Sequence, residues 1–435
     1  MSDLLAARSQ MALSLAFHIL FAVAGIAMPL MTVLAEWRYV RSGDRAALEL
    51  AKRWAKGTAI LFAVGAVSGT VLSFELGLLW PNFMRFAGAI VGMPFSLEGF
   101  AFFTEAIFLG VYLYGWDRVS RAVHLTAGLI VAVSGALSAV FVVIANAWMN
   151  VPRGFALVNG HPAQIDPFAA MATPAAPQQV LHMLLASYAA VGFIVAGIHA
   201  RALLRNPANA FNRHALQIAL TVAVPAAFLQ PISGDLSARM VARYQPPKLA
   251  SLEGQFVTER GAPLRIGGWP DVERGETRLA IEIPRALSFL AFHDPNAEVQ
   301  GLDRTPREDW PPVPVVHIAF QIMVACGTIM ALVSIWAAVV AWRRRDLTRQ
   351  RTLLKALLVA SPLGLIAIEA GWTVTEVGRQ PWIAYGVMRT AQAVTPMPGL
   401  VVPFTTITLI YLLLGVIVVR LLQRHVSQAH AEGVA

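Results

Sequence analysis

Nine long apolar stretches constrain this chain more than any other feature of its sequence. Each approaches the roughly 20 residues that an α-helix needs to cross the hydrocarbon core of a bilayer. Only 14% of the residues are charged, compared with about a quarter in soluble proteins. The pattern predicts an all-α membrane protein with nine transmembrane helices. The stretches lie near 12–35, 57–78, 94–115, 125–148, 178–200, 215–233, 313–342, 356–374 and 399–420.

The basic residues predict the orientation of these helices. The net charge of +9 does not indicate nucleic-acid binding, because the Lys and Arg residues are spread over short connecting segments. They are concentrated in segments such as 36–56 and 343–355, and such an excess is typical of cytoplasmic loops. We therefore expect the N-terminus outside and the C-terminus in the cytoplasm. The first stretch is not a cleaved signal peptide, because it is long and no cationic cluster precedes it.

One connecting segment, 234–312, is too long for the charge rule to apply. It is polar, rich in Pro and Gly, and nearly charge-balanced, with ten basic and twelve acidic residues. We predict a folded or semi-ordered extracytoplasmic loop that separates the six helices of 1–233 from the three helices of 313–435. The single cysteine, Cys326, excludes a disulfide framework within the chain.

Several polar or metal-ligating side chains lie inside the predicted spans. A charge at the bilayer centre costs at least ~2.5–3.5 kcal/mol, so these residues need a reason. In the predicted orientation they share the outer leaflet, which favours one functional layer. The alternatives are helix–helix hydrogen bonds for the histidines, core packing for the methionine, and an interfacial position for Glu75. The candidates are His18, Glu75, Glu98, Glu105, His182, Met323 and Glu376.

Two spacings within this layer suggest specific chemistry. Glu98 and Glu105 are seven residues apart, which places both carboxyl groups on one helix face. That arrangement suits proton handling or cation binding, although two unrelated structural hydrogen bonds would also fit. His182 and Met323 have the chemistry of a His/Met-ligated haem, but spacing alone leaves other pairings open.

Several motifs resemble subunit I of the cytochrome bd-type quinol oxidases, over nearly the full length of the chain. The longest of them ends in Glu376 and Arg379. The matching stretches are "SLAFHILF", "SLEGFAFFTEAIFLG", "YGWDR", "VIANAWMN", "VLHMLLASY", "PPKLASLEGQ", "FQIMVACG" and "EAGWTVTEVGRQPW".

The resemblance implies three haems in this chain: a low-spin haem b, a high-spin haem b, and a haem d or second high-spin haem b. His182 and Met323 would ligate the low-spin haem. His18 and Glu376 would serve the two high-spin haems, in an assignment that differs within the family.

The resemblance also implies roles for residues outside the ligand set. Glu98 and Glu105 would handle protons beside the high-spin haems, and Lys248 and Glu253 match the family's quinol-site residues. Helix four offers a weaker match to a proton route from the cytoplasm, through Ser134, Ser138 and Asn146.

The sequence departs from the family pattern at two places. Gln321 stands where family members often carry an arginine close to the low-spin haem, and Arg379 is a candidate to compensate. Trp372, in the long motif, is also expected beside a cofactor. The short outer loop resembles the cyanide-insensitive branch.

The implied function is a terminal oxidase of the bacterial inner membrane. It would oxidise quinol at the outer face and reduce O2 to water with cytoplasmic protons, which generates a proton-motive force without pumping. A second hydrophobic subunit and a small single-helix subunit are the implied partners. A haem b electron-transfer protein and a proton-coupled transporter are the alternatives, the latter because Pro225 and Pro231 resemble a broken helix.

Overall fold

The computed structural model describes residues 1–432, with side chains as far as residue 424, as a bundle of long helices. The helices are α1 Asp3–Ser42, α2 Arg45–Leu79, α3 Pro81–Tyr114, α4 Arg121–Asn150, α5 Pro167–Met171, α6 Ala176–Arg205, α7 Ala210–Tyr244, α8 Pro246–Glu253, α9 Ala286–Phe292, α10 Val313–Trp342, α11 Arg351–Ala360, α12 Leu363–Val377, α13 Thr390–Ala393 and α14 Val401–Glu432.

Within the described residues, nine helical segments are long and apolar enough to cross a bilayer. They coincide with the nine predicted stretches, and α11 and α12 together form the eighth. The prediction of nine spans is therefore confirmed. The orientation of the bundle stays a prediction, and the last residues of the predicted cytoplasmic C-terminus, 433–435, lie outside the described part of the chain.

Helix α7 is longer than the sixth predicted stretch, whose outer boundary the sequence left open. Helix α7 continues to Tyr244 and passes through Pro225 and Pro231 without ending. The helix continues because Met240 and Val241 are buried in a core shared with the following segment. Because α7 is continuous through both prolines, the interpretation of this segment as a broken helix is wrong.

The main core of the bundle lies between α1, α6, α7, α10 and the α11–α12 pair. Antiparallel neighbours pack along their whole lengths, notably α1 with α2, α3 with α4, and α6 with α7. Large apolar side chains are exposed on α2, α3 and α14, including Phe74, Phe100, Phe103 and Leu412. Such faces fit contact with lipid or with another hydrophobic subunit.

The helix termini gather at two ends of the bundle. At one end, Leu400 N donates a hydrogen bond to Asp3 Oδ1 at 2.9 Å, which joins the starts of α1 and α14. At the other end, Arg213 pairs with Asp346 at 2.7 Å. We call these the loop end and the basic end, because the first carries the long segment 245–312 and the second carries the Arg- and Lys-rich connections.

The segment 245–312 is folded, as predicted, although its side of the membrane stays a prediction. It contains α8, α9 and three short antiparallel pairings: β3 with β8, β4 with β7, and β5 with β6. Two further hairpins, β1–β2 and β9–β10, lie outside it. The strands are β1 Ala156–Val158, β2 His161–Ala163, β3 Glu259–Arg260, β4 Leu264–Ile266, β5 Trp269–Asp271, β6 Glu276–Arg278, β7 Ile281–Ile283, β8 Glu298–Val299, β9 Trp382–Ala384 and β10 Met388–Arg389.

Candidate functional site

Two membrane histidines are held by serine hydroxyls in the same way. His18 Nδ1 lies 3.0 Å from Ser68 Oγ, and His182 Nδ1 lies 2.9 Å from Ser233 Oγ. Each serine hydroxyl can donate to a backbone carbonyl of its own helix, and in that arrangement the imidazole supplies the proton of the shared bond. The Nε2 atom of each ring then carries the lone pair, which is the arrangement of a metal-ligating histidine.

A second contact of His182 agrees with this assignment. The amide nitrogen of Gln230 lies 3.1 Å from His182 Nε2, and an amide NH2 group can only donate there. Gln230 Oε1 is buried without a hydrogen-bond partner in the described part of the chain. The contact with the Gln230 amide nitrogen describes a ring whose Nε2 atom is an acceptor.

Glycines leave room beside two of the predicted ligands. A Cβ atom at Gly371 would lie 3.0 Å from Met323 Sδ, and one at Gly69 would lie 3.0 Å from His18 Cε1. Larger residues would crowd both groups. Imidazole and thioether groups are side chains that can hold haem iron, so the residues present fit that cofactor.

Glu376 lies at the end of α12 in a polar group, with 29% of its side chain exposed. Its Oε1 accepts a hydrogen bond from Asn146 and its Oε2 pairs with Arg379. Arg379 is only 2% exposed, and its Nε and Nη1 atoms have no hydrogen-bond partner among the residues the structure describes. A buried guanidinium with unused N–H groups fits an additional anionic partner, and a haem propionate has that chemistry.

Lys248, in α8, is connected to this group. Its Nζ donates to Asn150 Oδ1 at 2.9 Å and to the carbonyl of Thr375 at 3.0 Å. Asn150 Nδ2 in turn donates to Asn146 Oδ1 at 2.9 Å, and Asn146 reaches Glu376. A continuous chain of polar side chains therefore joins α8 to the end of α12.

Lys248 and Glu253 both carry perturbed ionisable groups. The pKa of Lys248 is lowered to about 7, mainly by burial and also by the charge of Arg379, while Glu376 acts in the opposite direction. The pKa of Glu253 is raised to about 8 by burial, against the opposing effect of Arg265. Groups that titrate near neutral pH suit proton transfer. The two side chains have different surroundings, so the structure does not bring them together directly.

Glu98 and Glu105 both face α4, which confirms their predicted common helix face. Ser138 Oγ donates to Glu98 Oε1 at 3.2 Å. Glu105 is 5% exposed, and a Cβ atom at Gly135 would lie 3.2 Å from its Oε1. The small residue at 135 makes space for the carboxyl group between α3 and α4.

Glu75 does not reach the interface, so that interpretation is wrong. It is buried, and its Oε1 accepts hydrogen bonds from Gln10 Nε2 at 2.9 Å and Ser14 Oγ at 2.8 Å. Among the described side chains, no group of three or more His, Cys, Asp or Glu residues forms a metal site of its own.

The structure places Gln321 against the long segment of the loop end. Its amide nitrogen donates to the carbonyl of Arg265 at 3.0 Å, and its Oε1 accepts from Gly267 N at 2.9 Å. Trp372 packs against the main core. The haem contacts expected for both residues stay predictions.

Comparisons with known proteins agree with this geometry. A family model described as "Cytochrome bd terminal oxidase subunit I" matches residues 6–430. The chain belongs to this family. The solved structure of a bd oxidase from Geobacillus thermodenitrificans contains a chain with a TM-score of 0.92 and 39% identity, covering 98% of this chain and 99% of that one.

Curated relatives from two bacteria belong to the same bd oxidase family. A Bacillus subtilis (strain 168) protein described as subunit I of a cytochrome bd menaquinol oxidase is 39% identical, over 97% of this chain and 96% of its own. Cytochrome bd ubiquinol oxidase subunit 1 of the same strain is 31% identical, over 98% and 94% respectively. Cytochrome bd-II ubiquinol oxidase subunit 1 of Escherichia coli (strain K12) is 28% identical, over 89% and 88%.

Subunits I of cytochrome bd oxidases are integral membrane proteins of bacterial respiration. They belong to quinol–oxygen oxidoreductases, carry haem, and normally work with a subunit II. The nine apolar helices of this chain fit a multi-pass protein of the bacterial inner membrane.

Sequence reasoning missed several residues of this bd oxidase site. Asn150 carried a weak signal, because it follows Asn146 by one helical turn. Ser68, Ser233 and Gln230 carried none, because their role depends on contacts between neighbouring helices.

Proposed function

We propose that this chain oxidises quinol at its loop end and supports reduction of O2 to water within the bundle. The chain of polar side chains from the buried Lys248 and Asn150 through Asn146 to Glu376 carries this proposal. It joins the α8 segment, which matches the family's quinol-site motif, to a predicted iron ligand.

His182 and Met323 would hold a low-spin haem b, and His18 and Glu376 would serve two high-spin haems, of which the O2-reducing one is of type d or b. When bound, the haems supply one-electron redox chemistry and the iron at which O2 reacts. Two features of this chain support the assignment: Nε2 of both histidines can act as an acceptor, and Gly371 leaves space beside Met323. Arg379 would offset propionate charge.

Lys248 and Glu253 would bind quinol and take part in removing its protons. Both are buried and have pKa values near neutral, about 7 and about 8. A neutral Glu253 can accept a hydrogen bond from a quinol hydroxyl, and its Oε2 is free of other partners among the described residues. Because the curated relatives are named for menaquinol and for ubiquinol, the proposal covers quinols as a class.

Glu98 and Glu105 would receive the protons consumed in O2 reduction. They lie between α3 and α4, and Ser138 and Ser134 continue the polar face of α4 toward the basic end. Release of quinol protons at the loop end and uptake from the basic end would charge the membrane without pumping. One charge moved across 100 mV corresponds to about 2.3 kcal/mol. A small single-helix subunit would join subunit II as a partner.

Difference spectra of the purified membrane complex test the proposal. We expect reduced-minus-oxidised haem bands, a carbon-monoxide-binding species, and oxygen consumption driven by quinol. His182→Ala should remove the sharp low-spin bands, whereas His161→Ala, at an exposed histidine of β2, should leave them unchanged.

The alternative functions give different results. Absence of haem would indicate a transporter. Haem without a carbon-monoxide-binding species would indicate an electron-transfer protein. An unchanged low-spin spectrum in His182→Ala would remove that residue from the proposed ligand set.

A further inference from the structure

His317 joins the start of α10 to two separate parts of the loop-end segment. The ring is completely buried. Its Nδ1 lies 2.8 Å from the carbonyl oxygen of Leu252, and its Nε2 lies 3.1 Å from that of Gly267. Both ring nitrogens therefore lie within hydrogen-bond distance of a backbone carbonyl of the segment.

One of these carbonyls belongs to the last turn of α8. The carbonyls of a final helical turn have no partner within the helix, so a side chain beside them can satisfy them. Gly254 ends α8 in the left-handed conformation, at φ 62°. His317 therefore caps the helix that carries Lys248 and Glu253.

Gln321 lies one turn further along α10, on the same side as His317. Its two hydrogen bonds, to the carbonyl of Arg265 and from Gly267 N, hold the neighbouring backbone. Gly267 is therefore held at its N–H by Gln321 and at its carbonyl by His317. Together, His317 and Gln321 make four hydrogen bonds to the segment; we call this pair the clasp.

Met323, the predicted ligand of the low-spin haem, follows Gln321 by two residues on the same helix. The clasp therefore connects α8, which carries the proposed quinol residues, to the helix of the proposed electron-accepting haem. We propose that His317 and Gln321 are positioning residues for quinol oxidation, which hold α8 and residues 265–267 in register with α10. This inference rests on the proposed function, because it assigns the quinol site to α8.

Substitutions in the clasp test this role in the purified oxidase complex. We expect Gln321→Leu and His317→Leu to raise the KM for quinol by about tenfold, since each removes two hydrogen bonds of the segment. In His317→Leu, the low-spin haem bands should be retained. Oxygen consumption driven by a water-soluble one-electron donor that bypasses quinol should also be retained. His317→Gln keeps one donor group and should restore part of the affinity, and Val315→Ala, at an exposed position of α10, should behave as wild type.

Hydrogen exchange at Gly267 gives a readout that does not depend on activity. Its amide donates to Gln321, so Gln321→Leu should accelerate its exchange, again by about tenfold. Unchanged exchange at Gly267, or an unchanged quinol KM in an active Gln321→Leu complex, would overturn the clasp. If a variant lost turnover with both the bypass donor and quinol, the pair would have a general folding role. That result would also overturn the proposed positioning role. A wild-type complex that consumes oxygen with the bypass donor but not with quinol would instead overturn the proposed function.

Discussion

Buried ionisable residues with few partners define the chemistry of the loop end. Glu253 is the strongest example outside the membrane spans, because it is 4% exposed and its Oε2 has no partner in the described residues. Arg265 is the charged group that offsets its burial. Periodicity and composition gave no signal for Glu253, and only the motif "KLASLEG" singled it out.

Glu253 should make the stability of the loop-end segment depend on pH. Its pKa is raised from 4.5 to about 8, so the folded segment retains a proton that the unfolded segment loses. Stability should therefore be greatest below pH 4.5, fall as the pH rises toward 8, and level off above it, by at most about 1.4 kcal/mol per pH unit. Hydrogen exchange of the α8 amides between pH 6 and 9, corrected for intrinsic rates, measures this.

Glu253→Gln removes the titrating group and should abolish the pH dependence. Glu273→Gln, at an exposed carboxylate of the same segment, should retain it. An identical pH response in wild type and Glu253→Gln would contradict the assignment.

At the scale of helices, apolar windows in the sequence predict which segments span the membrane. They do not predict where a helix ends or divides, because tertiary packing determines those points. All nine spans were predicted because each contains a long apolar window. The end of α7 was not, because residues 234–244 are polar in sequence and become helical by packing on the following segment. The division of the eighth span into α11 and α12 was missed for a similar reason, since Ser361 at the division packs against Gly197 of α6.

The same limit applies to the site. The predicted ligands and the Glu98/Glu105 face were accessible from spacing or motif. The bond between Lys248 and Asn150 joins residues 98 positions apart, and no local pattern encodes it. No local pattern singles out His317 either, because its carbonyl partners lie 65 and 50 positions away in the sequence.

Close helix packing at Gly371 should control the environment of Met323. Gly371→Ala places a Cβ atom 3.0 Å from Met323 Sδ, so the thioether must move by a few tenths of an ångström. We expect a shifted midpoint potential and altered bands of the low-spin haem, measured by redox titration of the purified complex.

Gly327→Ala supplies the matched control for that substitution. It lies in α10, and no atom lies within 4 Å of its added Cβ. Both changes favour the helix by similar amounts, about 1 kcal/mol relative to glycine. Equal potentials in the two variants would mean that Gly371 has no specific relation to the haem.

For the whole molecule, the two ends of the bundle give direction to the proposed chemistry. The loop end carries Lys248, Glu253, Arg379 and Glu376, whereas the basic end carries the Arg- and Lys-rich connections and the Arg213–Asp346 pair. If quinol protons leave at the loop end and consumed protons enter from the basic end, the reaction charges the membrane. The outside becomes positive, as a proton-motive force requires, only if the loop end faces outward. The distribution of basic residues predicts that orientation.

Cysteine labelling in intact spheroplasts tests that orientation. In a Cys326→Ser background, Ile281→Cys places a thiol on β7 of the loop end, at a side chain that is 68% exposed. Ser42→Cys places one at the exposed end of α1, at the basic end. A membrane-impermeant maleimide added outside should label residue 281 at once, and residue 42 only after permeabilisation. The reverse pattern would contradict the orientation and, with it, the direction of charge separation, because protons would then be released into the cytoplasm.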